Sequence, residues 1–361
     1  MTEPGSEPLI VVPPCTGEDG SSPLEATGRT LNWGVIATGN IAASVTADIG
    51  LLPDARLHAV SSRSRGRAEQ FATKFGFTTS YYDGGHSPLS GYEQLLADPD
   101  VDVVYVATPH GQHRTVAGAA LQAGKHVLCE KSLTINAREA AELIELAETN
   151  QRFLMEAVWT RFMPSVQRAW QIVRSGELGE IQWVQADLGF PAPYDPKARI
   201  WALDDGGGAL LDLTVYPLTW AFGVLGRPES YTVAGSLNSD GVDRQNALQL
   251  TYSSGAQAQL TSSLTASSPR TATICGAKGW LRTNAPLHNP TELTIETMDA
   301  GARAETIGQI GNGYVYEVRE ATRCIQAGLI ESPTMPRQDS LETMKFFDAV
   351  RADLGVRYPN D

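Results

Sequence analysis

At 361 residues the chain is long enough for two domains of ordinary size, each with its own core. Its composition, 42% apolar and 19% charged, is that of a globular protein, and a net charge of −13 argues against nucleic acid or an anionic membrane as partner. Four cysteines, Cys15, Cys129, Cys275 and Cys324, have no CxxC or finger-like spacing, which argues against structural zinc or a disulfide framework and fits a reducing compartment.

Residues 1–30 carry Pro4, Pro8, Pro13, Pro14 and Pro23 among Gly, Ser and acidic residues, and are expected to be a flexible tail. Within it only Leu9–Val12 is apolar enough to dock on a neighbouring surface. The first basic residue is Arg29, so no charged segment precedes that run as in a signal peptide. No apolar stretch approaches the roughly eighteen residues that span a bilayer. The expected location is the cytoplasm.

From Leu31 strand and helix patterns alternate. Strands are expected at Leu31–Ala37, Arg56–Ser61, Thr78–Tyr82, Val101–Ala107 and His126–Glu130, with a further one at Phe153–Ala157. Gly66–Phe75 and Gln112–Gln122 read as amphipathic helices between them. Alternation at this spacing predicts a parallel sheet covered by helices on both faces, over 31–156. The rhythm changes after residue 157. A helix at Ser165–Val173 leads to a long strand, Glu180–Gly189, and the stretch from Tyr231 to Arg282 has little helix signal. The alternations Ala247–Tyr252 and Gln257–Thr261, parted by Ser253-Ser254-Gly255, predict antiparallel strands. Helices return at Tyr316–Ala327 and Ser340–Leu354, so 157–361 is expected to be an α+β domain on a largely antiparallel sheet.

The first strand ends in Ala37-Thr38-Gly39-Asn40-Ile41-Ala42, a variant of GxGxxG/A with alanine in first place. In such a turn the second glycine admits backbone to a pyrophosphate, the small third residue lets helix and strand pack closely, and helix N-terminal amides hold the phosphates. Gly34 and Gly39 also have the glycine spacing of a phosphate loop, but Asn40 and Ile41 replace its lysine and hydroxyl. About twenty residues beyond the turn an acidic residue would select NAD. Ser62, Arg63 and Arg67 stand there instead, which suits the 2′-phosphate of NADP. Ligands bind beyond the carboxyl ends of strands in such a sheet. Thr108, Pro109 and His110, with His113, follow one strand, and Glu130 and Lys131 end another. The six histidines otherwise lack ligand-like spacing, and no metal site is expected.

With the turn, Thr108–His113 and Gly124–Lys131 in view, the chain resembles the glucose–fructose oxidoreductase/inositol dehydrogenase family over residues 31 to the C-terminus. The most specific parts are Glu130-Lys131 after Gly-Lys-His-Val and the run Gly206-Gly207-Gly208-Ala209-Leu210-Leu211-Asp212-Leu213-Thr214-Val215-Tyr216. Within the family the chain looks most like the branch of dimeric dihydrodiol dehydrogenases and NADP-dependent D-xylose dehydrogenases. Ala157–Phe162 and Arg199-Ile200-Trp201 also suit that branch.

The resemblance implies a Rossmann domain, a second domain with an open, predominantly antiparallel sheet used for homodimerisation, and a small sugar or diol as substrate. It implies that Lys131 and Tyr216 serve the nicotinamide, with Asp212 one helical turn from Tyr216, from where it is expected to orient Lys131 or a substrate hydroxyl. Trp159, Arg161, Arg199 and Trp201 are expected to line the pocket. Two positions depart from the family pattern: Ser132 replaces the usual proline, and Tyr216 stands where inositol dehydrogenases carry a histidine, which makes inositol an unsuitable substrate. A phenol titrates near 10 on its own. An ammonium about 4 Å away contributes up to about 4 kcal/mol at an effective dielectric of 20, enough to let a tyrosine act as base near neutrality. The expected activity is hydride transfer between NADP and a ring hydroxyl of an aldose such as D-xylose or D-glucose, or of a trans-dihydrodiol. The alternatives are NADPH-dependent reduction of sugar-derived ketones or aldehydes, and a cofactor-binding sensor without catalysis.

Overall fold

The computed structural model describes residues 22–84, 87–359 and 361. Leu9–Val12 and Cys15 lie outside the described residues. The chain folds into two compact units, one holding the described residues to 159 together with 310–344, the other 160–309 with 345–361.

In the first unit the expected alternation is present. β1 (Leu31–Ile36) leads to α1 (Asn40–Ile49), then β2 (Ala55–Ser62), α2 (Arg65–Phe75), β3 (Thr79–Tyr82), α3 (Gly91–Ala97) and β4 (Val103–Val106). α4 (His110–Gln122), β5 (His126–Glu130), α5 (Ala137–Thr149) and β6 (Leu154–Ala157) complete it. All strands pair in parallel in the order β3-β2-β1-β4-β5-β6. Chain direction around the sheet reverses between β1 and β4, which opens a crevice beyond their carboxyl ends. All four residues of β4 are buried, as a strand covered on both faces requires. α3 was not expected from periodicity. It begins with a capping box, Ser90 and Glu93 bonding each other's backbone.

The tail expectation needs correction for residues 22–30. Arg319, 1% exposed, donates from Nε to the carbonyl of Pro23 at 2.8 Å and from Nη1 to Thr27 Oγ1 at 2.9 Å. The same guanidinium clasps Asp54 at 2.6 and 2.9 Å, so this stretch is tied to the sheet domain's own core.

The second unit contains α6 (Pro164–Arg174), β7 (Ile181–Gly189) and α7 (Val215–Leu225). β8 (Ser230–Leu237), β9 (Asp243–Thr251), β10 (Gln257–Ser263), β11 (Ala272–Gly276), β12 (Gly279–Thr283), β13 (Glu292–Thr297) and β14 (Gly301–Thr306) follow. They form a sheet ordered β14-β13-β12-β11-β7-β10-β9-β8, antiparallel except where β10 runs parallel to β7. In β10 Ala258, Leu260 and Ser262 are buried while Gln257, Gln259 and Thr261 are exposed, so one face packs and the other is open.

Residues 310–344, expected with the second domain, group with the first. α8 (Val315–Gln326) is fixed there by Asp48 of α1, which is 1% exposed. Its carboxylate accepts from the backbone amides of Asn312, Tyr314 and Val315 at 2.8–3.1 Å, capping the helix across the chain. The division between units falls within α9 (Arg337–Leu354). A second correction concerns membrane spans: Leu203–Leu225 is long and apolar enough by composition to cross a bilayer. Its most apolar window is 89% buried inside the protein, the position of a core helix.

Candidate active site

The crevice of the first unit gathers the expected cofactor residues. Ala37, in the first glycine place, has φ +92°, the left-handed region that alanine rarely occupies, while its amide donates to Ser61 at 3.0 Å. The turn therefore keeps the glycine-type conformation although the residue is not glycine. A Cβ at Gly39 would meet nothing within 4 Å, so space lies open over the backbone where a pyrophosphate would approach. Gly39 precedes α1 without a side-chain cap, and the first turn of α1 holds no acidic residue. Asn40 is exposed and Ile41 half-buried there. Thr38 Oγ1 lies 3.3 Å from Ser62 Oγ, joining the first turn to the end of β2. Arg63 and Arg67 are exposed and make no ion pair among the described residues, whereas Arg65 is held by Glu69 at 2.8 Å. Thr108, beyond β4, has a buried hydroxyl oxygen without a hydrogen-bond partner among the described residues, and Pro109 precedes α4. Open space over Gly39, two exposed arginines without ion pairs and an orphaned hydroxyl at the crevice fit a phosphorylated dinucleotide.

His110 and His113, both buried, bond to backbone carbonyls of the neighbouring loop. His110 Nε2 lies 2.9 Å from the carbonyl oxygen of Lys131. His113 Nδ1 and Nε2 lie 2.9 and 2.8 Å from the carbonyls of Ser132 and Thr108. The two rings brace the loop that presents the lysine, whose Lys131–Ser132 peptide bond is cis. Lys131 is 9% and Glu130 8% exposed, which rules out a lysine solvated at the sheet edge. Tyr105 donates its hydroxyl to Glu130 Oε1, and Glu156 Oε1 accepts from the amide of Leu133 at 2.9 Å. Both carboxylates hold strand ends and loop.

The sequence gives no hint of Glu317. It lies on α8, fully buried, with neither carboxyl oxygen bonded among the described residues. Burial first, then the charges of Glu130 and Asp48, pushes its carboxyl well above the ordinary range.

In the second unit, Asp212 lies in a π-helical turn, Leu210–Thr214, that runs into α7, and Tyr216 follows at the start of α7. The run after the glycines is thus a π-turn joined to an α-helix, a feature frequent at functional sites. Asp212, 7% exposed, accepts from both Nη atoms of Arg199 at 2.9 and 3.4 Å. Tyr216 is half-buried, with its ring 5.0 Å from that of His288. His288 was missed because it lies in the β12–β13 connection, far from the glycine run in sequence. Of the expected pocket residues only Arg199 is exposed. Trp201 is 2% exposed with its indole donating to Pro193 at 2.9 Å, and Arg161 is 3% exposed. Trp159, in the first unit, stacks on Tyr314 at 4.2 Å. No metal cluster joins these residues among those described; His58, Asp98 and Asp100 approach one another elsewhere.

Residues 31–158 match the oxidoreductase family GFO/IDH/MocA with an NAD-binding Rossmann fold, and 166–282 match the C-terminal domain of that family. Trans-1,2-dihydrobenzene-1,2-diol dehydrogenase of Mus musculus is 33% identical over 340 residues, covering 92% of this chain and 99% of that protein. The same enzyme of Xenopus laevis is 35% identical over 336 residues, with 91% and 99% covered. A crystal structure of KijD10, a 3-ketoreductase from Actinomadura kijaniata in complex with NADP and TDP-benzene, has a TM-score of 0.80 at 29% identity, covering 90% of this chain and 98% of that one. The chain belongs to the GFO/IDH/MocA oxidoreductase family and is an NAD(P)-dependent dehydrogenase.

Proposed function

We propose that the chain transfers hydride between NADP and a ring hydroxyl of an aldose such as D-xylose or D-glucose, or of a trans-dihydrodiol. The observation that carries the cofactor choice is the end of β2, where Ser62, Arg63 and Arg67 replace the acidic residue that would bind a ribose 2′-hydroxyl. Bound NADP supplies the hydride acceptor. The chain's own residues then manage the proton: Tyr216 takes it from the substrate hydroxyl, and Lys131, held buried at the end of β5, serves the nicotinamide. Asp212, paired to Arg199, orients the substrate hydroxyl. In reduction the same phenol donates.

The relatives support the diol, and the 3-ketoreductase supports the reductive direction on a ketone. Both follow from one test: NADP with D-xylose, D-glucose and a trans-dihydrodiol, and NADPH with keto sugars, read at the nicotinamide absorbance. Turnover with any alcohol supports oxidation, turnover with carbonyls alone supports the reductase, and none in either direction overturns the proposal in favour of a sensor. The proposal includes a homodimer built on the open face of the large sheet, where Trp183 is 39% exposed, in a reducing compartment such as the cytoplasm. A monomeric mass by light scattering overturns the dimer.

A further inference from the structure

The glycine run and the π-turn that follows it are held by one buried acid. Gly208 has φ +125°, and a Cβ there would fall 2.0 Å from Asp243 Oδ1. At Gly207 a Cβ would meet Ala202 N, Ala202 O and Arg199 O, each at 2.9 Å. The run is therefore glycine because backbone and carboxyl leave no room for a side chain. Asp243, fully buried at the start of β9, accepts from the amide of Leu210 at 2.8 Å. Its Oδ2 also accepts from Asn246 Nδ2 at 3.2 Å. Asn246 Oδ1 in turn accepts from Thr214 Oγ1 at 3.1 Å. Asp243 and Asn246 thus hold the first and last residues of the π-turn, with Asp212 between them and Tyr216 just beyond. From the other side Tyr358 donates its hydroxyl to Gly207 at 3.0 Å.

We propose that Asp243 is a positioning residue whose carboxylate, on Leu210 and through Asn246 on Thr214, sets the turn that aims Asp212 and Tyr216. The inference rests on the reading that those two residues serve the reaction. An asparagine at 243 keeps an oxygen that can accept from Leu210 and Asn246 but places no charge in the interior. The charged form also binds an N-terminal helix amide more tightly, since ionised acceptors make stronger bonds and the helix dipole favours an anion there.

Burial pushes the Asp243 carboxyl up to about 7, against the amides of Leu210 and Asn246, which favour the anion. Charged and titratable neighbours are Tyr358, with Arg351 over its ring at 4.7 Å and Asp361 and Asp348 on that guanidinium, and Asp212 with Arg199. Apart from Asp243, the buried side chains of β7, β9 and β10, the strands that pack on the turn, are apolar, Ser or Asn and do not titrate.

The test compares the wild type with Asp243→Asn in the full chain, using whichever of D-xylose, D-glucose or a trans-dihydrodiol turns over fastest. Asn mimics the protonated acid. The expected result is kcat at pH 8 lowered about tenfold, loss of the wild-type rise in kcat through pH about 7, NADP affinity within twofold by fluorescence, and a Tm at pH 8 equal to or above the wild type. An unchanged pH profile, or a kcat loss that follows a lower Tm, overturns it. Asn246→Ala, which releases Thr214 but leaves the carboxyl on Leu210, is expected to lower kcat several-fold and keep the rise near pH 7; loss of that rise also overturns it. Tyr216→Phe separates the two claims. If it turns over normally the underlying reading fails; if it is inactive while Asp243→Asn is normal, only the positioning role fails.

Discussion

Replacing Arg319 with Met removes one half of a pair that is 1% and 2% exposed. The guanidinium gives Asp54 two bonds, at 2.6 and 2.9 Å, and gives Thr27 and Pro23 one each. What remains for Asp54 is the amide and hydroxyl of Thr27 at 2.9 and 3.4 Å and the Gln326 side chain at 3.0 Å. Breaking a buried pair from one side costs about 3–5 kcal/mol, because the other charge is left in the interior. That is a large share of the 5–15 kcal/mol typical of a folded domain. Urea unfolding followed by circular dichroism reads the loss directly. The double substitution Asp54→Asn with Arg319→Met removes the stranded charge and is expected to recover more than half of it. The acid limb gives a second reading. Burial alone raises the Asp54 carboxyl, but bonds from Arg319, Gln326 and Thr27 outweigh it and hold it well below the ordinary range. Its contribution is therefore present above pH about 4 and lost as pH falls through the depressed value. Arg319→Met should flatten that acid limb. A stability within about 1 kcal/mol of the wild type, with the same acid limb, refutes the reasoning.

Arg63→Ala should raise KM for NADP about tenfold to a hundredfold while leaving NAD within threefold, the scale of one charge-assisted bond of about 1.5–3 kcal/mol; equal losses argue against the 2′-phosphate contact. Ala37→Val places a β-branched residue at φ +92° and should cost about 1–3 kcal/mol and weaken NADP binding, read by thermal shift with and without cofactor. Glu317→Gln tests the buried acid on α8: its raised carboxyl favours the neutral fold at low pH and loses stability as pH rises through the folded value. The variant should match the wild type at pH about 4, where the unfolded carboxyl is still protonated, and exceed it increasingly as pH rises to 9 in urea unfolding; a variant no more stable at pH 9 contradicts the assignment.

The first unit was legible because each parallel strand carries its own apolar run, and β5, His126–Glu130, appears with the bounds its residues suggest. α3 escaped because its seven residues are too few for a periodic face. β13 and β14 escaped because their exposed sides and short length gave only a weak alternation. The parallel pairing of β10 with β7 is a long-range choice that no local pattern encodes. Nor does any spacing show that Asp48 captures α8 across more than 260 residues, which draws 310–344 into the first unit. Among candidate site residues, Lys131 stood out at its strand end, whereas Asp212 and Tyr216 were singled out by the family resemblance of the run after the three glycines. Asp243 and Glu317 did not, since a lone acid in a strand or helix reads as solvated until its burial is known. His110 and His113 were legible as crevice residues but not as braces, because their partners are carbonyl oxygens that carry no sequence signature.

The most direct measurement is steady-state turnover of Lys131→Met beside NADP affinity by fluorescence titration. The account predicts turnover reduced at least a thousandfold, on the scale of removing a positioned acid–base partner, with NADP binding kept within about threefold. Turnover near the wild-type rate contradicts it.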